Sequence, residues 1–135
     1  VAALLDLIER GLARADPEAL LEITRYTVQR VEDGLGIYDA PALMVRFGTD
    51  QLDVVPAGRY ARVPITIREI RTQLGLAPTD GAACGRVDIT DGERKYFLVR
   101  DLSDGTARWF SVDERRRAAP FDEAQLEAIL LDLWS

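Results

Sequence analysis

The sequence predicts an α+β domain built on a mostly antiparallel sheet. Two Asp-Gly turns, Asp91-Gly92 and Asp104-Gly105, sit between alternating apolar runs from Gly85 to Val112. This is the strongest short-range hairpin signal, because Gly adopts positive φ freely and Asp tolerates it. Apolar stripes at helical spacing stand near both ends of the chain, Leu4, Leu5, Ile8 and Leu12, then Leu126, Ile129, Leu130 and Leu133. Two capping boxes mark helix starts, Thr66 to Glu69 and Asp122 to Gln125.

Taken in order, residues 2–14 read as a helix. Asp16-Pro17-Glu18 then reads as a helix restart, since Asp caps, Pro suits the first helical position and Glu favours the positive end of the helix dipole. A second helix is expected from Pro17 to Asp33, stopped by Gly34 and Gly36, so that residues 1–33 form a helical hairpin. Leu43, Val45 and Phe47 alternate, as do Leu52 and Val54, which predicts a hairpin turning at residues 48–51. Pro56-Ala57-Gly58 breaks that pattern, and Tyr60 to Ile65 reads as a further short strand. The capped helix runs from Thr66 to Leu74, with Gly75 as its stop.

The meander follows. The Asp104-Gly105 turn pairs Asp101 with Arg108, Val99 with Phe110 and Phe97 with Val112. For the first hairpin, a three-residue loop ending in Gly92 sets Asp88 against Arg94 and puts Val87 and Ile89 on the Phe97 and Val99 face. The other face then holds Tyr96, Leu98 and Trp109 among Arg94 and Arg100, with Arg100 across from Trp109 in cation–π reach. A charged linker, 113–117, leads to the C-terminal helix at 121–134. The whole reads as one domain, 1–135, with the sheet over 37–112.

Composition narrows the chemistry. Histidine is absent and Cys84 is the single cysteine, which excludes an internal disulfide and removes the usual zinc ligands and the usual base for a serine or cysteine nucleophile. No phosphate-cradling glycine motif occurs, so no cofactor and no metal are expected. Net charge is −6, which argues against nucleic-acid binding driven by bulk charge. No apolar run is long enough to span a membrane, and no signal peptide is expected, so the expected location is the cytoplasm. Lys95 is the only lysine and asparagine is absent, the bias of a GC-rich bacterial gene.

Three functions remain. The first is a non-enzymatic protein-binding, adaptor or chaperone-like module, binding a partner or a second copy through Tyr96, Leu98, Trp109, Arg94 and Arg100. Arg115, Arg116 and Arg117 are a candidate anion contact beside it. The second rests on a resemblance. Thr66 to Leu76 is similar to the positioning helix and turn of helix-turn-helix proteins, and the hairpin at Val87–Arg100 stands where a winged helix has its wing. That resemblance implies a degenerate winged-helix, nucleic-acid-binding domain over 66–100, with 78–86 as the recognition segment. The third is an enzyme using carboxylates and arginines, with Asp88, Asp91, Asp101 and Asp104 as its acids. Asp101-Leu102-Ser103-Asp104-Gly105 also resembles in part the D-x-S-x-x-G box of PilZ domains, which implies cyclic-di-GMP binding. Its glycine stands one position early.

Overall fold

The computed structural model describes residues 2–32, 34, 36–58, 65–79 and 85–134. The elements are α1 (Ala2–Ala15), β1 (Glu22–Glu32), β2 (Gly36–Phe47), β3 (Asp50–Gly58), α2 (Ile67–Gln73), β4 (Arg86–Thr90), β5 (Lys95–Asp101), β6 (Arg108–Val112), β7 (Ala118–Pro120) and α3 (Glu123–Leu133). The strands form one antiparallel sheet in chain order, β1 to β7. The class is α+β, as the sequence predicts.

The two faces of the sheet are covered by different helices. On one, the buried stripes of α1 (Leu4, Leu5, Ile8, Leu12) and α3 (Leu126, Ile129, Leu133) pack on Leu43, Val45, Leu52, Val54, Val87, Ile89 and Leu98. Gly11 lets these helices approach, because a Cβ there would stand 2.8 Å from Leu126 Cδ2. Arg14 adds an ion pair to Glu123 at 2.9 Å. On the other face, Ile65, Ile67 and Ile70 around α2 pack on Val99, Phe110 and Val112. Both N-caps form: the amide of Glu69 donates to Thr66 Oγ1 at 3.1 Å, and that of Gln125 to Asp122 Oδ1 at 2.8 Å.

The second helix of the expected helical hairpin is a strand. The Asp16 carboxylate does not cap a helix. It accepts the amides of Leu20 and Leu21 at 2.8 and 2.7 Å, folding 16–21 into a turn that delivers the chain to β1. Six of the eleven β1 residues (Ile23, Thr24, Tyr26, Thr27, Val28 and Val31) are β-branched or aromatic. Such residues lose rotamer freedom in a helix and suit a pleated surface. Pairing with β2 over all eleven residues overrode the helical spacing.

The β2–β3 hairpin has the expected partners, Leu43 with Val54 and Val45 with Leu52. Pro56 to Gly58 bends β3 without ending it, through a register shift. The β5–β6 register is as predicted, Asp101 with Arg108 through Phe97 with Val112. The β4–β5 register is not. Asp88 faces Phe97 and Ile89 faces Tyr96. A four-residue loop, 91–94, replaces the three-residue one. Asp91 Oδ1 accepts the amides of Glu93 and Arg94, and Thr90 Oγ1 accepts that of Gly92. The slip moves Val87 and Ile89 to the Leu98 face. The supposed linker 113–117 is a tight turn around Asp113 Oδ1, which accepts the amides of Arg115 and Arg117, and β7 follows it. The strand expected at 60–65 lies outside the described residues over 60–64, as does Cys84.

Candidate functional site

The face offered as a binding surface is covered. Leu98 is fully buried beneath α1 and α3, so it is core and not contact surface. Tyr96 and Trp109 lie at the margin of that layer, each half-buried. Arg100 stands over the Trp109 ring at 6.0 Å, the predicted cation–π geometry. Arg94 does not meet Asp88. Its guanidinium donates to the carbonyls of Asp132 and Leu133 at 2.9 and 2.8 Å, placing a cation at the C-terminal end of α3, which has no base of its own there. Tyr96 Oη donates to Asp132 Oδ2 at 2.7 Å. Burial, and then that carboxylate, push the Tyr96 phenol up to about 12.

Each candidate acid has an arginine beside it. Asp88 pairs with Arg86 at 2.9 Å, and Arg94 lies 3.6 Å from Asp91. The strongest cluster joins α2 to the β5–β6 turn. Arg71, nearly buried, pairs with buried Asp101 at 2.8 Å and with Asp104 at 3.1 Å, and Arg108 takes Asp104 as well. Burial pushes the Asp101 carboxyl up, but bonds from the Ser103 hydroxyl and amide and from Arg71 hold it below the usual range. Bonds from Arg71 and Arg108 hold Asp104 low too. This cluster is a clasp that binds α2 to the sheet. Sequence pairing set Arg108 beside Asp101, but gave no sign that Arg71 would reach it from another element.

Arg115 and Arg117 line one cavity that Arg116 does not. Arg117 pairs with Asp113 at 2.8 Å, and Arg116 sits in the left-handed region at φ 64°. Arg115 and Arg117 border a polar cavity of about 320 Å³ beside Arg94, Tyr96, Asp113 and Asp132, where charges of both signs already meet. Of the recognition segment of the winged-helix resemblance, residues 78 and 79 are irregular, 80–84 lie outside the described residues, and Arg86 opens β4. The hairpin offered as its wing lies inside the sheet, flanked by β3 and β6.

Sequence reasoning missed the larger cleft. About 530 Å³ opens between the 16–21 turn, the end of β2 and the last turns of α3, walled by Leu20, Leu21, Phe47, Leu130, Leu131 and Trp134. Leu20 is 57% and Leu131 74% exposed, and Phe47 stacks on Trp134 with ring centroids 6.1 Å apart. Glu127 and Asp16 are its polar lining. The Trp134 Nε1 proton is buried and finds no acceptor among the described residues. A buried indole N–H ordinarily has a partner, and leaving one unmade costs about 1–3 kcal/mol. One signal was legible: Leu131 falls off the buried stripe of α3 and has no inward role. Leu20 and Phe47 gave none, because their neighbourhood exists only once 17–33 is known to be a turn and a strand.

Among the described residues, no group of three or more metal-ligating side chains converges, and no helix is long and apolar enough to cross a membrane. No protein-family model, curated protein or solved structure matches this chain.

Proposed function

We propose that this chain is a non-enzymatic protein-binding module that holds its partner in the cleft between α3 and the end of β2. The carrying observation is the apolar wall itself, where Leu20 and Leu131 stand 57% and 74% exposed beside Phe47 and Trp134. A polypeptide supplies what that wall lacks, apolar side chains to cover Leu20 and Leu131. Glu127 lines the cleft, and residues 121–135 carry four acids and no base. The fitting partner therefore presents two large apolar side chains with a basic residue beside them. The arginines spent on Asp88, Asp101 and Asp104 favour this reading over a carboxylate enzyme, since their charges are already matched. A cytoplasmic location belongs to the same proposal, supported by the lone cysteine.

The test is selection of displayed random peptides on the wild-type chain and on Leu131→Asp. Leu131 is 74% exposed, so the variant keeps the fold. The expected winners carry paired apolar residues next to Arg or Lys and are lost on the variant. Winners that bind both chains equally, or no winners, overturn the reading.

A further inference from the structure

We infer that two copies of this chain join along β1, antiparallel and about a two-fold axis at Tyr26, so that the Val31 and Ile37 tip of each lies against the apolar cleft of the other. This rests on the protein-binding reading above and names its occupant.

The first ground is the edge itself. β1 is an outer strand of the sheet, eleven residues long, with no proline and no lysine. Such an edge is a template for another strand unless something blunts it. The far part of β1 pairs only with β2, because β3 meets β2 over residues 43–47 alone. The result is a two-stranded ribbon, and at its tip Val31 and Ile37, directly paired, are 75% and 66% exposed.

The second ground is self-complementarity. With Tyr26 on the axis, Glu22 of each copy faces Arg30 of the other, Thr24 faces Val28, and Leu21 faces Val31. The neighbouring even registers lose this match. An axis at Thr27 sets Glu22 against Glu32, and an axis at Arg25 sets two arginines face to face. Arg30 spends its Nε on the Pro56 carbonyl at 2.8 Å, which leaves its terminal nitrogens for the carboxylate of Glu22 in the second copy.

The third ground is continuity with the cleft. A normal two-fold axis keeps odd-numbered side chains of both copies on the helix-covered face. Val31 and Ile37 then run on across the new strand pair into Leu21 of the second copy. Glu22 pairs with Arg46, so Leu21 falls beside Phe47, and both line the cleft. Among the described residues, five of the six exposed large hydrophobics (Leu20, Val31, Ile37, Phe47 and Leu131) thereby gather at one place, and only Leu102 lies elsewhere.

Sedimentation equilibrium tests this by charge exchange. Wild type is expected to dimerise. Glu22→Arg and Arg30→Glu alone should each weaken the dimer by roughly tenfold or more. An equimolar mixture of the two variants, and the double variant, should dimerise again, because each restores opposite charges across the strand pair. A wild type that stays monomeric, single variants that dimerise as tightly as wild type, or a mixture that fails to recover overturns the inference. Should Arg30→Glu not fold, Val31→Arg replaces it, and a dimer indifferent to that change overturns the inference equally. A monomeric wild type that still selects Leu131-dependent peptides overturns the second copy and leaves the cleft reading standing. Charge-exchange behaviour with no selected peptide supports the second copy and removes the outside partner.

Discussion

β7 is three residues long and ends in Pro120, whereas β1 is eleven residues long and contains no proline. They are the two edges of one sheet. At the β7 end Trp109, Phe110, Val112, Ala118 and Ala119 are each at least partly covered, and α2 is clasped to the sheet by Arg71, Asp101 and Asp104. At the β1 end charged side chains fasten the strand to α1, Arg25 meeting Asp6 and Glu9 at 2.7 and 2.6 Å, while Val31 and Ile37 face water. One edge is finished within the chain. The other is finished only if something joins it. The difference teaches that cohesion of the fold and openness to a partner are divided between opposite edges of the sheet, so each can be broken without the other.

The largest effect should come from breaking the closed end. Arg71→Met leaves the Asp101 carboxylate buried with only Ser103 to satisfy it, and removing one partner of a buried pair costs about 3 kcal/mol. The urea midpoint should fall accordingly, and adding Asp101→Asn should recover much of the loss. The pH dependence has a definite sign. Asp101 and Asp104 are held below the ordinary 3.8, so their contribution is fully present above that value and is lost as pH falls through their lower folded values. In Arg71→Met the acid loss should begin at higher pH. An unchanged midpoint and an unchanged acid limb would mean that the clasp does not hold this end.

A smaller effect separates the two flanks of α3's last turn. One flank is tied by Arg94 and Tyr96, and the other is the cleft wall of Leu131 and Trp134. Tyr96→Phe removes a charge-assisted bond and should cost about 1–1.5 kcal/mol. Wild type should also lose stability as pH rises from the ordinary tyrosine value of 10.0 towards about 12, because the raised folded value favours the protonated phenol. That alkaline loss should be reduced in Tyr96→Phe. Leu131→Asp, on the other flank, should leave the midpoint within about 0.5 kcal/mol of wild type.

The closed end was the more legible of the two in the sequence. Period-two patterning and Asp-Gly turns located β4 to β6, and the capping boxes located α2 and α3, because those signals act over a few residues. The β4–β5 slip was missed because Asp91 and Thr90 build a four-residue loop from side-chain bonds that the Asp-Gly pair does not reveal. The open end was misread for a different reason. Ile23, Thr27 and Val31 satisfy helical spacing and strand alternation alike, and only pairing along β2 decides between them. The cleft went with it, since two of its walls, Leu20 and Leu21, lie in the segment read as helix.

Ala19 sharpens the account of that segment. It is held at φ 54° in the turn that Asp16 organises. A left-handed alanine costs roughly 1–2 kcal/mol, and glycine gives back part of that through its larger unfolded entropy. Ala19→Gly should therefore raise stability by about 0.5 kcal/mol. A fall in the melting temperature would mean that the turn is not strained as drawn.

The smallest effect on folding is the most telling about the edge. Val31→Thr with Ile37→Thr keeps both residues β-branched and directly paired, and both side chains are already mostly in water. In the Glu22→Arg background, where the strand edge is charge-mismatched, the double change should move the urea midpoint by less than about 0.5 kcal/mol. In the wild-type background the same change should lower the melting temperature, and more so at high protein concentration, because association adds stability only to the extent that the dimer is populated. A hydrophobic pair that matters to the single chain would give the same shift in both backgrounds and at every concentration. Separation of the two backgrounds is what an edge left open for a second copy requires.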